Sequence, residues 1–275
     1  MITKIWLNGE FVDKSVPRIM HDDSGFLRAN GVFDSMLAVN GKLVSSREHY
    51  DRWAHDCKTV LRLDLPLSYE EFVTTAEELL RQNGIDKDHY ARVRAQITGG
   101  ILKAFLGKPV SPTITFSCSR TRTPDNQELI KAWVISDYPR IAGCELENCK
   151  KLDYTRSFAA MQDAREKGGN EPIITNTAGN VACASTSAIF IVEGTNIITP
   201  RLEDGILDSI SRRYLIRDYG AKQEIITPER LEQADRIFLC NTIRGIRPII
   251  ELNGAPRENA LGEFTDLHQK VFKAA

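Results

Sequence analysis

The sequence predicts an α/β protein in two parts, a small α+β domain followed by a larger, strand-rich α/β domain. In the first part, short apolar runs are separated by Asn-Gly dipeptides and then give way to the three-and-four spacing of amphipathic helices. In the second part, apolar runs rich in β-branched residues alternate with helical segments. This order of elements is expected where helices pack against a sheet.

The predicted small domain spans residues 1–118. Its first strands lie in ITKIWLNG, EFVD and GVFDSMLAVNGKLVS, and the Asn-Gly dipeptides at 8–9 and 40–41 predict hairpin turns between them. SREHYDRWAHDCKTVLRL predicts a helix with Ser46 as its N-cap, and SYEEFVTTAEELLRQNG predicts a second helix that begins at Ser68. YARVRAQITGG and SPTITFSCS predict two further strands.

The polar segment RTRTPDNQ begins at Arg120 and lacks periodicity. On this basis we predict an interdomain linker at residues 119–126, followed by the larger domain at 127–275. Strands are expected in KAWVISDY, EPIITNT, ASTSAIFIVEG, DRIFLCNT and IRPIIELNG. Helices are expected from Tyr154 to Lys167, in ILDSISRRYLIRDYG, and from about Gly262 to the end.

Composition excludes several classes of function. The 36 basic and 37 acidic residues leave a formal net charge of -1, so the chain sets up no field that would attract nucleic acid or an anionic membrane. The six cysteines form no CxxC pair or Cys/His cluster, which predicts no metal site and a reducing compartment. Without a signal-peptide core or an apolar run of about 20 residues, we expect a cytoplasmic protein.

Six blocks occur in a recognisable order: IWLNGEFV, DSGFLRANGVFDSMLAVNGKL, REHYDRW, KKLDYTRSFAAMQDAREKGGNEPIITNTAGNV, ITPRLEDGILDSISRR and CNTIRGIRPI. On these blocks, from residue 5 to about residue 253, the chain resembles the class IV aminotransferases. That family includes branched-chain and D-amino-acid transaminases and aminodeoxychorismate lyase. The resemblance implies a D-amino-acid-aminotransferase-like fold, a pyridoxal 5'-phosphate (PLP) cofactor and a homodimer, with the active site between the two domains.

The resemblance also implies the site residues. Lys150, rather than Lys151, matches the lysine that binds PLP covalently and moves protons at the substrate α-carbon. Other positions match residues that contact the cofactor, with Tyr154 at its phenolic oxygen and Cys183 at its pyridine nitrogen. The positions that match phosphate ligands are Arg52, Ile210, Ser211 and Thr242. Ser211 also lies near the start of a predicted helix, whose N-terminal amides suit a phosphate.

Several positions depart from the family pattern, among them Ala29 in place of a usual glycine and Ala188 in place of a usual asparagine, and two departures bear on function. Cys183 stands where the family usually has a glutamate, and a thiol with a pKa of about 8.5 is a poorer partner for a protonated ring nitrogen. Gly99 stands where D-amino-acid transaminases have the arginine that grips the substrate carboxylate. That role could fall instead to any of three arginines, Arg28, Arg94 or Arg244.

The resemblance predicts an enzyme that moves an amino group from an amino acid to a 2-oxo acid. Asp34, which is acidic where transaminases commonly have glutamate, favours this function. CNTIRGIRPI favours the alternative, an aminodeoxychorismate lyase that releases pyruvate and 4-aminobenzoate. Cys183 motivates a third hypothesis, a PLP-binding homodimer that has lost catalysis.

Overall fold

The computed structural model describes residues 2–15, 18–87, 90–122 and 129–257. Contacts within the chain divide it into two units. The first contains Met1–Thr123 and Cys149–Asp153, and the second contains Pro124–Asn148 and Tyr154–Ala274.

The first unit holds a six-stranded sheet in the order β2-β1-β6-β5-β3-β4, in which every pair is antiparallel. Its strands are β1 (Lys4–Leu7), β2 (Glu10–Asp13), β3 (Gly31–Val39), β4 (Lys42–Leu43), β5 (Tyr90–Leu102) and β6 (Pro109–Arg120). Both predicted Asn-Gly hairpins are present. Asn8 and Asn40 have φ values of 45° and 47°, the positive range that two-residue hairpin turns require.

The described residues of the first unit form three α-helices: α1 (Ser24–Arg28), α2 (Ser46–Asp56) and α3 (Tyr69–Gln82). The predicted start of α3 at Ser68 is confirmed by a capping box, in which Ser68 Oγ accepts from Glu71 N and Glu71 Oε2 accepts from Ser68 N. The predicted N-cap of α2 was wrong by one residue. Ser45 occupies that position with a φ of 51°, so Ser46 is already helical.

The end of α2 also differs from the prediction. Its last part is a π-helical turn over Cys57–Leu61 rather than a continuation of the α-helix. The helix α1 was not predicted, because five residues are too few to show a helical period. Its start is fixed instead by Asp23, whose Oδ1 accepts from Gly25 N at 2.7 Å.

An aromatic cluster packs α2 and α3 onto the sheet. The rings of Trp53 and Phe72 are each 5.8 Å from the ring of Phe116, and Trp6 meets Phe116 edge-on at 5.4 Å. Trp53, Phe72 and Phe116 are fully buried. Burial of their apolar area favours docking of the helices on this face.

The expected domain boundaries need two corrections. Ser119 and Arg120 belong to β6, because their main chains pair with β5, and the remainder of the expected linker from Thr123 lies outside the described residues. Cys149–Asp153, expected in the larger domain, belongs to the first unit because its main chain hydrogen-bonds to β3.

The second unit is built on a mixed nine-stranded sheet in the order β12-β11-β10-β13-β14-β7-β8-β9, with β15 paired to β14. Its strands are β7 (Ile130–Arg140), β8 (Glu171–Asn176), β9 (Val181–Ala184), β10 (Ala188–Glu193), β11 (Asn196–Thr199), β12 (Lys222–Gln223), β13 (Arg236–Asn241), β14 (Gly245–Leu252) and β15 (Ala255–Pro256). Its helices are α4 (Thr155–Glu166), α5 (Ile210–Tyr219) and α6 (Pro228–Gln233).

The segment ASTSAIFIVEG, predicted as one strand, is divided between β9 and β10. Ala184 N donates to Ser187 O at 3.0 Å, which closes a turn over residues 185–187. The predicted closing helix from Gly262 lies outside the described residues. Across the part of the chain that the structure describes, no helix has the length and apolar character needed to cross a membrane.

Replacement of Phe72 by alanine should lower the free energy of unfolding by about 3–5 kcal/mol, because it leaves a cavity at the contact of α3 with the sheet. The matched control is Phe158→Ala, in helix α4, where the side chain is 69% exposed. That change should stay within about 0.5 kcal/mol. Urea unfolding followed by circular dichroism measures both, and equal effects would contradict the assigned core.

Candidate active site

Lys150 lies on a short segment that runs antiparallel beside the start of β3. Phe33 N donates to Lys150 O at 3.0 Å, and Leu152 N donates to Gly31 O at 3.0 Å. Between these two bonds, Lys151 pairs with Val32 in an isolated antiparallel β-bridge. Because side chains alternate along an extended segment, Lys150 and Lys151 point to opposite faces. Lys150 shares its face with Phe33, whose ring centroid is 4.5 Å from Lys150 Nζ.

The ring of Phe33 also carries a second cation. The guanidinium carbon of Arg94 is 3.6 Å from the ring centroid, and Lys150 Nζ is 4.5 Å from the same centroid. The sum of these distances is the upper limit for the separation of the two cationic groups. Gln96 Oε1 accepts from Nε and an Nη of Arg94, at 3.2 and 3.1 Å, which fixes the plane of the guanidinium. Arg28 is exposed over the ring of Phe105. Of the three candidate arginines for the carboxylate, Arg94 is therefore the one that shares an aromatic ring with Lys150.

A fully buried carboxylate, Asp34, lies on the opposite face of β3 and is satisfied by α2. Asp34 Oδ2 accepts from Arg52 Nε at 2.9 Å, and Asp34 Oδ1 is 2.7 Å from His49 Nδ1. Burial alone would raise the pKa of Asp34, but Arg52, His49 and Lys150 lower it to about 2. Burial also lowers the pKa of His49, against the opposing attraction of Asp34. The predicted phosphate ligand Arg52 is thus held in one orientation by a carboxylate.

The side chain of Asp56, at the end of α2, fixes the main chain of Lys150. Asp56 Oδ2 accepts from Lys150 N at 2.8 Å, and burial raises the pKa of this carboxyl, although the Lys150 amide opposes the shift. Potential metal-ligand atoms of His55, Asp56 and Cys149 lie within 4.8 Å of one another. The sequence predicted no metal site. The structural role of Asp56 is its hydrogen bond to the main chain of Lys150.

In the second unit, the N-terminus of α5 is arranged for an anion. Ile210 and Ser211 begin the helix and are buried, and the side chain of the N-cap residue Ser209 makes no capping bond within the described residues. Ser209 Oγ lies instead 3.0 Å from Ser211 Oγ. A helix start whose amides are not taken by a side-chain cap, with two hydroxyls beside it, suits a phosphate group.

Cys183 lies on β9 next to a guanidinium. Its thiol interacts with Arg140, and together with the Glu147 carboxylate it raises the pKa of that arginine. Arg140 also donates to Glu147 Oε2 at 3.3 Å and to Ser157 Oγ at 3.2 Å. The thiol that departs from the family pattern therefore faces a permanent positive charge, a partner that the sequence did not reveal.

The two remaining predicted residues lie in the second unit as well. Tyr154 is half-buried and forms the N-cap of α4. Thr242 is half-buried in the turn after β13, where Asn241 Oδ1 accepts from Ile243 N at 3.0 Å and Arg244 N at 2.8 Å. Arg244 itself is exposed.

Sequence reasoning missed two groups of residues. One is His49, whose i,i+3 spacing from Arg52 places both side chains on the face of α2 that meets Asp34. The other is the hydroxyl-rich turn Ser185–Ser187, which the run STS could have indicated. The buried partners of this turn, Glu171 and Arg247, are on strands distant in sequence, so no local sequence pattern indicates them.

Comparisons with known proteins agree on one group. The family model of class IV amino-transferases matches residues 31–252. The chain is 30% identical over 278 residues to a Methanocaldococcus jannaschii protein provisionally named a branched-chain-amino-acid aminotransferase, with 98% of this chain and 95% of that protein covered. It is 26% identical over 263 residues to the D-alanine aminotransferase of Staphylococcus haemolyticus, with 92% and 90% covered.

A solved structure extends this similarity to the fold. The branched-chain aminotransferase of Thermoproteus uzoniensis with norvaline superposes with a TM-score of 0.87 at 26% identity. The match covers 99% of this chain and 93% of that one. Both units of the chain therefore have counterparts in that structure.

Replacement of Asp34 by asparagine should lower the free energy of unfolding by about 3–5 kcal/mol, because it leaves the Arg52 guanidinium buried without its carboxylate. The pKa of Asp34 is lowered on folding, so its contribution should be complete above about pH 4 and be lost as the pH falls toward about 2. Urea unfolding at several pH values measures the difference between wild type and variant.

The matched control is Asp51→Asn, which removes an exposed carboxylate 3.1 Å from Arg47 Nε on the same helix. Exposed pairs contribute about 0.2–1 kcal/mol. An Asp34→Asn effect as small as this, or one that grows as the pH is lowered, would contradict the buried pair.

Proposed function

The chain belongs to the class IV aminotransferase family, and from this premise we propose that PLP is its cofactor and that it moves an amino group from an amino acid to a 2-oxo acid. The observation that carries the proposal is the placement of Lys150. Its main chain is bonded on both sides, and its amino group lies on one face of β3 beside a second cation.

The residues present fit the chemical parts of PLP. Its aldehyde requires a lysine, for which Lys150 is proposed, and its phosphate requires an anion site, for which the N-terminus of α5 is proposed with Ile210 and Ser211. Arg52 and Thr242 are proposed as further phosphate ligands, and Tyr154 is proposed at the phenolic oxygen. When bound, PLP supplies an electrophilic carbonyl for the amino group and a ring that withdraws electrons from the α-carbon.

Lys150 has a second proposed role as the group that moves a proton at the substrate α-carbon. An amine does this when it is held on one face of the substrate and kept from the solvent. The hydrogen bonds of its main chain to Phe33 and Asp56 fix the backbone from which this side chain extends. Cys183, whose thiol interacts with the guanidinium of Arg140, is proposed at the pyridine nitrogen.

We assign the substrate carboxylate to Arg94. A carboxylate beside Lys150 needs a cation on the same face of the sheet, and Arg94 shares the ring of Phe33 with that lysine. Gly99 leaves no room for the alternative arginine of D-amino-acid transaminases, because a Cβ there would lie 2.5 Å from Asn30 Nδ2 and 2.6 Å from Ser24 Oγ. We therefore propose that the substrate is an amino acid held by its α-carboxylate.

We further propose a cytoplasmic homodimer. Large apolar side chains are exposed on the first unit, among them Phe26 at 70%, Phe105 at 77% and Leu106 at 76%. We propose that these side chains belong to an association surface, since contiguous exposed apolar groups mark such surfaces. The six cysteines are all free thiols, as expected in a reducing compartment.

Treatment of the PLP-loaded protein with borohydride should attach the cofactor irreversibly to the peptide that contains Lys150. Mass spectrometry of the digested protein locates the label. The matched variant Lys151→Ala should label as the wild type does, whereas Lys150→Ala should not label. A label on Lys151, or none in the wild type, would overturn the proposed cofactor attachment.

Replacement of Arg94 by methionine should raise KM for amino-acid donors about 10–100-fold with a smaller change in kcat, because a charge-assisted contact to the carboxylate is lost. An amine donor without a carboxylate, such as 1-phenylethylamine, should be affected little. The control is Arg92→Met, since Arg92 lies two residues earlier on β5 and is exposed. An equal loss with both donors, or with both variants, would count against Arg94.

A further inference from the structure

A buried charge pair lies beneath the turn that joins β9 to β10. Arg247, on β14, is fully buried, and one of its Nη atoms is 3.8 Å from Oε2 of Glu171, which is on β8 and 3% exposed. Burial of a guanidinium and a carboxylate is costly, so such a pair is retained where it holds other groups in place. All of these residues belong to the second unit.

Both members of the pair hold the turn. Glu171 Oε1 accepts from Ser185 N at 2.9 Å and from the Ser185 hydroxyl. An Nη of Arg247 donates to Ser187 Oγ at 2.8 Å. The carboxylate therefore fixes the first residue of the turn, and the guanidinium fixes the last.

The hydroxyl of Ser187 receives a second hydrogen bond, from Asn241 Nδ2 at 2.9 Å. The orientation of this amide is settled, because Asn241 Oδ1 accepts from Ile243 N and Arg244 N. A hydroxyl can accept two hydrogen bonds and donate one. With both accepting positions taken by groups that can only donate, the Ser187 proton must point to a third partner, and no described residue accepts it.

The surroundings of Ser187 indicate what that partner is. Burial raises the pKa of the Cys240 thiol, and the Ser211 hydroxyl at the start of α5 and the Arg247 guanidinium oppose this shift, so both groups lie near that thiol. Asn241 orders the turn that holds Thr242. Ser187 is thus joined through shared contacts to two of the groups proposed as phosphate ligands, and a donor in this position suits an anionic acceptor.

We propose that Arg247 and Glu171 position Ser187 as a dedicated hydrogen-bond donor to the phosphate of PLP. The inference rests on the proposed function. Arg247 is a positioning residue, since it acts through Ser187 and fixes the direction in which the hydroxyl donates. The formal charge of the guanidinium is balanced by Glu171, so the pair orients the donor without adding a net charge to the site.

The test compares the affinity of the apoprotein for PLP with its affinity for pyridoxal, which lacks the phosphate. Titrations are followed by absorbance and by quenching of tryptophan fluorescence. Ser187→Ala should weaken PLP binding about 10–100-fold, as expected for a lost charge-assisted bond, and leave pyridoxal binding unchanged. The control Ser157→Ala removes a buried serine that also accepts from an arginine, and it should not alter the ratio of the two affinities.

Arg247 is tested in the double variant Arg247→Met/Glu171→Gln, which removes both charges and so avoids an unpaired buried ion. It should lower the affinity for PLP but not for pyridoxal. Addition of Ser187→Ala to this double variant should cost less than it does in the wild type, because Arg247 acts through Ser187. If the double variant does not fold, Ser187→Ala and its control decide the matter alone.

Wild-type affinity for PLP in Ser187→Ala, or an equal loss for PLP and pyridoxal, would overturn the inference. Full additivity of Ser187→Ala with the double variant would remove the positioning role of Arg247. A wild-type protein that binds neither compound would instead mean that the proposed function fails. Labelling at Lys150 with unchanged variant affinities would leave that function intact and reject only this inference.

Discussion

The main-chain hydrogen bonds of Lys150 tie a segment from the middle of the chain to a strand, β3, and a helix, α2, near its beginning. Phe33 N and Lys150 O form one bond, and the Lys150 amide and Asp56 form another. These bonds fix the main chain at both the carbonyl and the amide of the lysine. The remaining freedom of the amino group comes from the torsion angles of the side chain. The proposed chemistry of Lys150, and its place on the ring that Arg94 also contacts, depend on this attachment.

The strand β3 serves two purposes because its two faces carry different chemistry. One face presents Phe33 to the cations of Lys150 and Arg94. The other buries Asp34 against His49 and Arg52 of α2. Since the two faces belong to one strand, the ion pair that stabilises the first unit also limits movement of the strand that holds Lys150.

Local sequence signals predicted much of the fold. The Asn-Gly turns and the capping box at Ser68 are set by residues within four positions of one another, and the structure has them as expected. The short helix α1, the π-helical turn at Cys57–Leu61 and the division of ASTSAIFIVEG depend on packing or on single hydrogen bonds, which periodicity does not record. The family and the mixed α/β fold were predicted from the order of blocks.

The candidate site was predictable only in part for the same reason. Lys150, Arg52 and Ser211 were predicted from motif positions, and their roles stay predictions. The partners that give these residues their properties are distant in sequence, as Asp56 is from Lys150 and Arg140 is from Cys183. The burial of Arg247 and its pairing with Glu171 were not predicted, because they depend on the order of the strands in the sheet.

The side chains of Lys150 and Lys151 point to opposite faces of the segment that pairs with β3. This alternation restricts which insertions and deletions the chain can accept near these residues. The segment pairs with β3 through only a few residues, from Lys150 to Leu152. If one residue were deleted next to this segment, the segment could shift by one residue along β3 and form the main-chain bonds again. Lys151 would then lie on the face that Lys150 occupies now, and Lys150 on the opposite face. A change of two residues would preserve the face and displace the lysine along the strand by about 7 Å. The number of residues in the chain near Lys150 is therefore constrained more tightly than the amino-acid types at most positions of this segment.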